Sequence, residues 1–298
     1  MAAPRGTFSI VAADLEAGEV GCAVQSKYFS VGSVVPWAQA GVGAVATQAA
    51  GVAVYGRRVL EELARGAAPD AALERVLAED AGRETRQLGV VTADGRAAAF
   101  TGGSCLDWAG HRTGAGFAVQ GNILAGAAVV DEMVRAYEET TGPLVERLVG
   151  ALEAGQRAGG DRRGQQSAAL VVERRGGRSE SREGIDRICD LRVEDHPEPI
   201  AELRRLVGIW SGWDAQRRAH AAHERGEHAA AADALVVVLA RGEDAEVLYN
   251  LACYEALAGR RDDAVLHVRR ALELSPSLRE LAADDRDLDP IRDALADL

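Results

Sequence analysis

The sequence predicts an α+β chain in which β-sheets covered by helices on their outer faces are followed by an all-α helical repeat domain. Three observations carry this. Strand patterns and hairpin signals cluster around pairs of helical patterns instead of alternating with single helices, which disfavours a parallel βαβ fold. Helical periodicity takes over after Asp195-His196-Pro197, and a regular spacing recurs in the last third of the chain. With 298 residues, 47% hydrophobic and 27% charged, the chain has globular composition and room for two domains.

Taken in order, Thr7 to Asp14 is a β-branched apolar run, and Glu19 to Gln25 follows it after a turn-like LEAG, giving an N-terminal hairpin. A further strand is expected at Gly43 to Ala50. Two helices are then expected over Val54 to Arg65 and Pro69 to Ala81, the second with Pro69 in its first turn and Asp70 beside it, where a helix start favours both. Gln87 to Ala93 and Arg96 to Thr101 read as a second hairpin turning at Asp94-Gly95. Gly102 to Gly126 looks too irregular for a helix and too polar for a core strand, so it is expected to be a loop carrying functional groups. A long helical pattern from Ala127 to Gln156 breaks at Gly142-Pro143. Strands at Gln166 to Glu173 and Asp190 to Glu194 precede a helix from Pro199 to Ile209, with further helix from Trp213 onward.

Ala245 to Ser277 closely resembles a tetratricopeptide repeat, with Leu248, Leu251, Ala252, Gly259, Ala264, Val268, Ala271 and Pro276 at its motif positions. An earlier copy is visible in Gly226, Ala231 and Leu235. Stacked repeats bury each other's apolar faces, and about three units are wanted for a stable stack. With two present, the remaining face is expected to meet the N-terminal domain or a second subunit, and the repeats to bind a protein partner or form a homo-oligomer.

Formal net charge is −12, which gives no electrostatic footprint for nucleic acid. No run approaches the apolar length of a membrane span and the first residues lack a secretory signal, so a cytoplasmic protein without membrane contact is expected. Cys22, Cys105, Cys189 and Cys253 have no metal-site spacing, and neither a metal nor a cofactor is expected. Cys105 and His111 share the Gly-rich segment and could pair as nucleophile and base, although no third group is evident to orient them. His196, His220, His223, His228 and His267 are read as solvated. Among the 34 basic residues a single one, Lys27, is lysine.

The strings TFSIVAADLEAGEVGCAVQSKYFSVGSVVPWAQAGVGAVATQA, GFAVQGNILAG, GGDRRGQQSAALVV and DLRVEDHPEPIAELRRL together resemble the DUF1028 family, grouped with the N-terminal nucleophile (Ntn) hydrolases. The resemblance spans Thr7 to Leu206 and implies a four-layer αββα Ntn-hydrolase-like sandwich. Boundaries are therefore expected at residues 1–6 for a leader, 7–209 for the sandwich and 210–298 for the repeat domain.

An N-terminal Ser or Thr brings its own base, an α-amino group with a reference pKa of ~7.7–8.0. Thr7, preceded by Gly6, is the candidate nucleophile. Its exposure could follow autocatalytic cleavage after Gly6, trimming by another protease, or translation starting directly before it; a plain strand role for Thr7 is the competing structural reading. Lys27, brought back towards Thr7 by the hairpin, would supply positive charge, and Asn122 an oxyanion donor. Ser26 is a candidate proton relay, and Gln48, Gln120 and Gly121 are candidate pocket polar groups. Asp161 and Arg163 could orient the amine or clamp a carboxylate, and Trp108 could wall the pocket. These readings point to a hydrolase of C–N bonds acting on a small amide or peptide-like substrate. The alternative is a non-catalytic small-molecule-binding or scaffold protein whose repeats mediate interaction.

Overall fold

A computed structural model describes residues 6–177, 186–239 and 242–295; residues 1–5 of the expected leader lie outside the described residues. The chain divides into two compact units, Met1–Val207 and Gly208–Leu298.

In the first unit, β1 (Thr7–Asp14) and β2 (Glu19–Ser26) form the expected hairpin, paired from Thr7 with Ser26 to Asp14 with Glu19. β3 (Pro36–Gln39) and β4 (Gly43–Ala49) lead into α1 (Val54–Ala64) and α2 (Pro69–Leu77). β5 (Arg86–Thr92) and β6 (Ala97–Thr101) form the second hairpin, followed by β7 (Gly110–Gly114) and β8 (Phe117–Asn122). α3 (Ala128–Glu139) and α4 (Leu144–Arg157) precede β9 (Ser167–Arg174) and β10 (Arg187–Val193). The strands form two antiparallel sheets, ordered β10-β9-β2-β1-β8-β7 and β3-β4-β5-β6.

The expected functional loop over Gly102 to Gly126 is therefore corrected in part. Its second half is β7 and β8, and β8 pairs with β1 along Thr7 to Ala12. All six residues of β8 are buried, so both faces are covered and the apolar/polar alternation that marks a half-exposed strand is missing. β3 also lies outside the strands expected from sequence.

Alternation on the paired strands sets the layers. Val11, Val24 and Cys22 face Ala44, Ala46 and Val91 across the gap between the sheets. The opposite face of β4 and β5, with Val45, Leu88 and Val90, packs on Tyr55, Val59 and Leu60 of α1 and Leu73 and Leu77 of α2. On the other outer face a side chain on Gly21 of β2 would meet Leu148 of α4, and one on Gly155 of α4 would meet Met133 of α3 and Phe8 of β1. Helices thus cover the outer faces of two facing sheets. Gly89 of β5 has a specific reason: a Cβ there would lie 1.9 Å from Gln120 Oε1, whose amide reaches across the gap from β8.

α5 runs without interruption over Pro199–Glu224, where the sequence suggested a shorter helix to Ile209; the unit boundary at Val207 falls within it. Beyond it come α6 (His228–Leu239), α7 (Ala245–Leu257), α8 (Arg261–Leu274), α9 (Leu278–Asp284) and a 3-10 segment over Arg286–Leu295. α7 packs against α6, α8 and the 3-10 segment. Small residues carry this packing: Ala219, Ala222, Ala231, Ala252, Ala264 and Ala271 are buried together with Leu235, Leu251 and Val268.

Two of the histidines expected in solvent are engaged instead. His267 Nδ1 lies 2.7 Å from Oε2 of the buried Glu255, and the His223 ring stacks on Tyr254 with centroids 4.8 Å apart. Both contacts join residues distant along the chain, which helical periodicity does not reveal.

Candidate active site

Strand pairing places three candidates in one row. Thr7 begins β1 and lies between Ser26, the last residue of β2, and Asn122, the last residue of β8. Directly paired residues point to the same face, so all three side chains enter the gap between the sheets, and all three are buried. The row sits at the strand ends, where chain entering β1 through Gly6 meets the segment before β9.

At this end the Gly6 carbonyl is the focus. The Thr7 hydroxyl donates to it at 2.7 Å, the Ser26 hydroxyl at 2.6 Å, and Arg163 Nη2 at 2.7 Å. Thr7 Oγ1 and Ser26 Oγ are also 2.9 Å apart. Each hydroxyl has one proton, so the three hydroxyl contacts are shared. In one arrangement Thr7 donates to Ser26 and Ser26 to the Gly6 oxygen, which leaves the Thr7 oxygen with its lone pairs uncommitted.

Asp161 holds this corner. Its buried carboxylate accepts from the Lys27 backbone N–H at 3.2 Å and the Arg163 backbone N–H at 2.9 Å. It also accepts from Arg163 Nε at 3.1 Å and Nη2 at 2.7 Å. The ion pair aims the guanidinium at Gly6. Lys27, by contrast, is exposed, and its ammonium donates to the Gln165 carbonyl at 3.0 Å. The cation at the Gly6 carbonyl is Arg163, and Lys27 reaches the site through its backbone.

Behind the row lies a buried amide network. Gln87 Oε1 accepts from Gln48 Nε2 and from Asn122 Nδ2, each at 2.9 Å. Gln87 Nε2 donates to the Gly121 carbonyl at 2.8 Å and to Thr101 Oγ1 at 3.0 Å, and Thr101 meets His111 Nδ1 at 2.8 Å. Ser9 donates to Gln48 Oε1 and accepts from Gln120 Nε2, both at 2.6 Å. Gln48 Nε2 also reaches the Thr7 carbonyl at 3.4 Å. Buried polar groups need such partners, and a connected network fixes one packing of the two sheets. One N–H of the Asn122 amide is thereby given to Gln87, while Gly121 contributes its carbonyl. Sequence reasoning missed Gln87; its signal is an uncharged polar residue directly before the apolar run Leu88–Val91 of β5.

A cavity of about 60 Å³ opens beside Thr7 and Ser26, lined further by Tyr28, Val31, Val34, Gln48 and Ala49 among others. None of its lining residues is charged. Ala49 and Ile123, which directly follow Gln48 and Asn122, have φ of 66° and 53°. Such backbone is costly for a β-branched residue and concentrates where function demands a fixed geometry. Trp108 lies outside this lining; its ring packs over Gly110.

Cys105 and His111 do not pair. The Cys105 thiol donates to the Arg86 carbonyl at 3.3 Å, and burial pushes its pKa up, away from thiolate character. His111 is lowered, chiefly by burial. Among the described residues no cluster of three or more His, Cys, Asp or Glu could hold a metal ion, and no helix is long and apolar enough to cross a membrane.

Comparison with known proteins supplies relatives. The profile of DUF1028, a family of unknown function, matches residues 7–203. The crystal structure of a DUF1028-family protein from Silicibacter pomeroyi is similar, with 32% sequence identity and a TM-score of 0.63, over 71% of this chain and 91% of that one. No curated protein matches.

Proposed function

This chain belongs to the DUF1028 family, and from the geometry at Gly6 and Thr7 we propose that it is an Ntn-type amidohydrolase with Thr7 as nucleophile, exposed by cleavage of its own Gly6–Thr7 bond. The observation that carries the reading is the Gly6 carbonyl, held by Ser26 Oγ at 2.6 Å and Arg163 Nη2 at 2.7 Å with the Thr7 hydroxyl 2.7 Å away. Two facing sheets covered by outer helices support the αββα Ntn sandwich.

In this reading Thr7 Oγ1 bonds to the Gly6 carbonyl carbon while its proton leaves through Ser26. The carbonyl oxygen takes the negative charge between a hydroxyl and a guanidinium, donors fixed before the charge develops. The C–N bond then breaks, its electron pair stays on the Thr7 nitrogen, and the proton released by Thr7 Oγ1, handed on by Ser26, completes the amine. Water hydrolyses the resulting ester and releases the leader with Gly6 as its carboxyl end. The freed amine, with a reference pKa of ~7.7–8.0, serves as base for Thr7 Oγ1 in each later turnover. A small amide or peptide-like substrate places its carbonyl on the same donors, and the uncharged cavity beside Thr7 takes an apolar part of it. The C-terminal helical pairs, tetratricopeptide-like in their alanine packing, serve in this proposal as a protein-binding or self-associating module.

Mass spectrometry of the purified full chain tests the reading. The expected species begins at Thr7, and Thr7→Ala retains the residues before it. A wild-type chain that keeps Gly6 and still hydrolyses amides would overturn it, and so would a Thr7→Ala chain that loses its leader as the wild type does.

A further inference from the structure

We propose that the acyl side of this site takes only groups whose α-carbon carries no L side chain, so that the substrates are glycyl or other α-unbranched amides, and that Asp161 imposes the restriction. This rests on Thr7 being the nucleophile.

Gly6 is the first acyl group the site handles. Its carbonyl lies on Ser26 Oγ and Arg163 Nη2, and both donors are fixed: Ser26 is buried at the end of β2, and Arg163 is clamped by Asp161. In the ester on Thr7 Oγ1 a later acyl group takes the place the leader's Gly6 held, and with its carbonyl on the same two donors its α-carbon falls close to the position of the Gly6 Cα. A Cβ built there would lie 2.6 Å from Asp161 Oδ1 and 2.7 Å from both Cγ and Oδ2. That is far inside van der Waals contact, so either the acyl group or Asp161 has to shift.

Asp161 is poorly able to give way. Its side chain is short and fully buried, and its two oxygens accept from the Lys27 N–H, the Arg163 N–H and two guanidinium nitrogens of Arg163. Moving the carboxylate would break these bonds and also release Arg163, one of the two donors the reaction needs. An L side chain therefore either displaces the acyl carbonyl from its donors or dismantles one of them. The cavity beside Thr7 does not relieve this position, since neither Gly6 nor Asp161 lines it. The same rule accounts for glycine before Thr7.

The test uses a matched pair of activated esters, the p-nitrophenyl esters of N-acetylglycine and N-acetyl-L-alanine. The protein is the chain with Thr7 exposed, made by placing the initiator methionine directly before it. In the step that is read, Thr7 Oγ bonds to the ester carbonyl carbon, p-nitrophenolate leaves with the electrons of the C–O bond, and the hydroxyl proton passes to the Thr7 amine. Acyl-Thr7 is followed by peptide mass spectrometry. The glycyl ester is expected to acylate Thr7 about 100-fold faster than the alanyl ester, the penalty typical of an ångström-scale misplacement. Equal rates overturn the restriction and leave the nucleophile standing. Failure of both esters to acylate Thr7 overturns the nucleophile reading and this inference with it. In the full chain Gly6→Ala is expected to retain its leader, and leader loss at the wild-type rate would again overturn the restriction.

Discussion

At the scale of single residues the site depends on two donors that differ in kind. Ser26 gives one hydroxyl proton, and Arg163 gives a fixed charge whose direction is set by Asp161. Ser26→Ala removes a donor and the proton route from Thr7, so leader loss is expected to slow by about 10²–10³-fold, the usual cost of an oxyanion donor. Arg163→Lys is expected to slow it as well, because an ammonium cannot bond Asp161 through two nitrogens and still reach Gly6. Timed mass spectrometry of freshly translated chain reads both; a Ser26→Ala chain that processes at the wild-type rate would remove Ser26 from the mechanism. Sequence reasoning named Thr7, Ser26, Asp161 and Arg163, and it chose Lys27 as the nearby cation because the hairpin returns it towards Thr7. Hairpin register does bring the end of β2, one residue before Lys27, opposite Thr7, but the ammonium turns away to the Gln165 carbonyl while Arg163 arrives from 157 residues after Gly6. Spacing along a hairpin gives strand register, whereas the direction of a long side chain depends on partners contributed by other segments.

At the scale of elements, the segment that follows α2 is tied to the start of β5 by Asp80 and Arg86. Arg86 Nε bonds Asp80 Oδ2 at 2.7 Å, and the Gly82 N–H adds 2.8 Å to Oδ1. The Arg86 guanidinium holds the Asp80 carboxyl well below the usual carboxylate range. Since the folded pKa lies below the unfolded one, this stabilisation is present above the unfolded pKa of ~3.9 and is lost as pH falls through the folded value. Urea unfolding at falling pH is expected to show an acid loss of stability that is shallower in Asp80→Asn, with the variant less stable than wild type at pH 7. An identical acid slope in both chains would exclude Asp80 as a source. The β1–β2 and β5–β6 hairpins were legible from turn residues and alternation, Asp94-Gly95 above all. β8 was not, because burial on both faces removes alternation and because Gln120, Gly121 and Asn122 look like loop residues until their partners on β1 and β5 are known.

At the scale of the whole molecule, the groups placed around Gly6 and Thr7 come from residues 6–163, all in the first unit. A chain ending after Glu224, which keeps α5 whole, is therefore expected to lose its leader at the wild-type rate. Retention of the leader in a truncated chain that still folds, judged by circular dichroism, would show that the second unit contributes to the reaction. By itself the sequence determined the N-terminal hairpin, the hairpin at Asp94-Gly95, the helix pairs, the helical character of the last third and the Gly6-Thr7 junction, because these follow from local periodicity, turn chemistry and residue type. Tertiary structure alone decided that β8 lies beside β1, that Gln48, Gln87 and Asn122 are bonded together between the sheets, and that Arg163 meets the Gly6 carbonyl. Those facts join residues 35 to 157 positions apart, and the burial and hydrogen bonds that fix them exist only once the sheets have closed on one another.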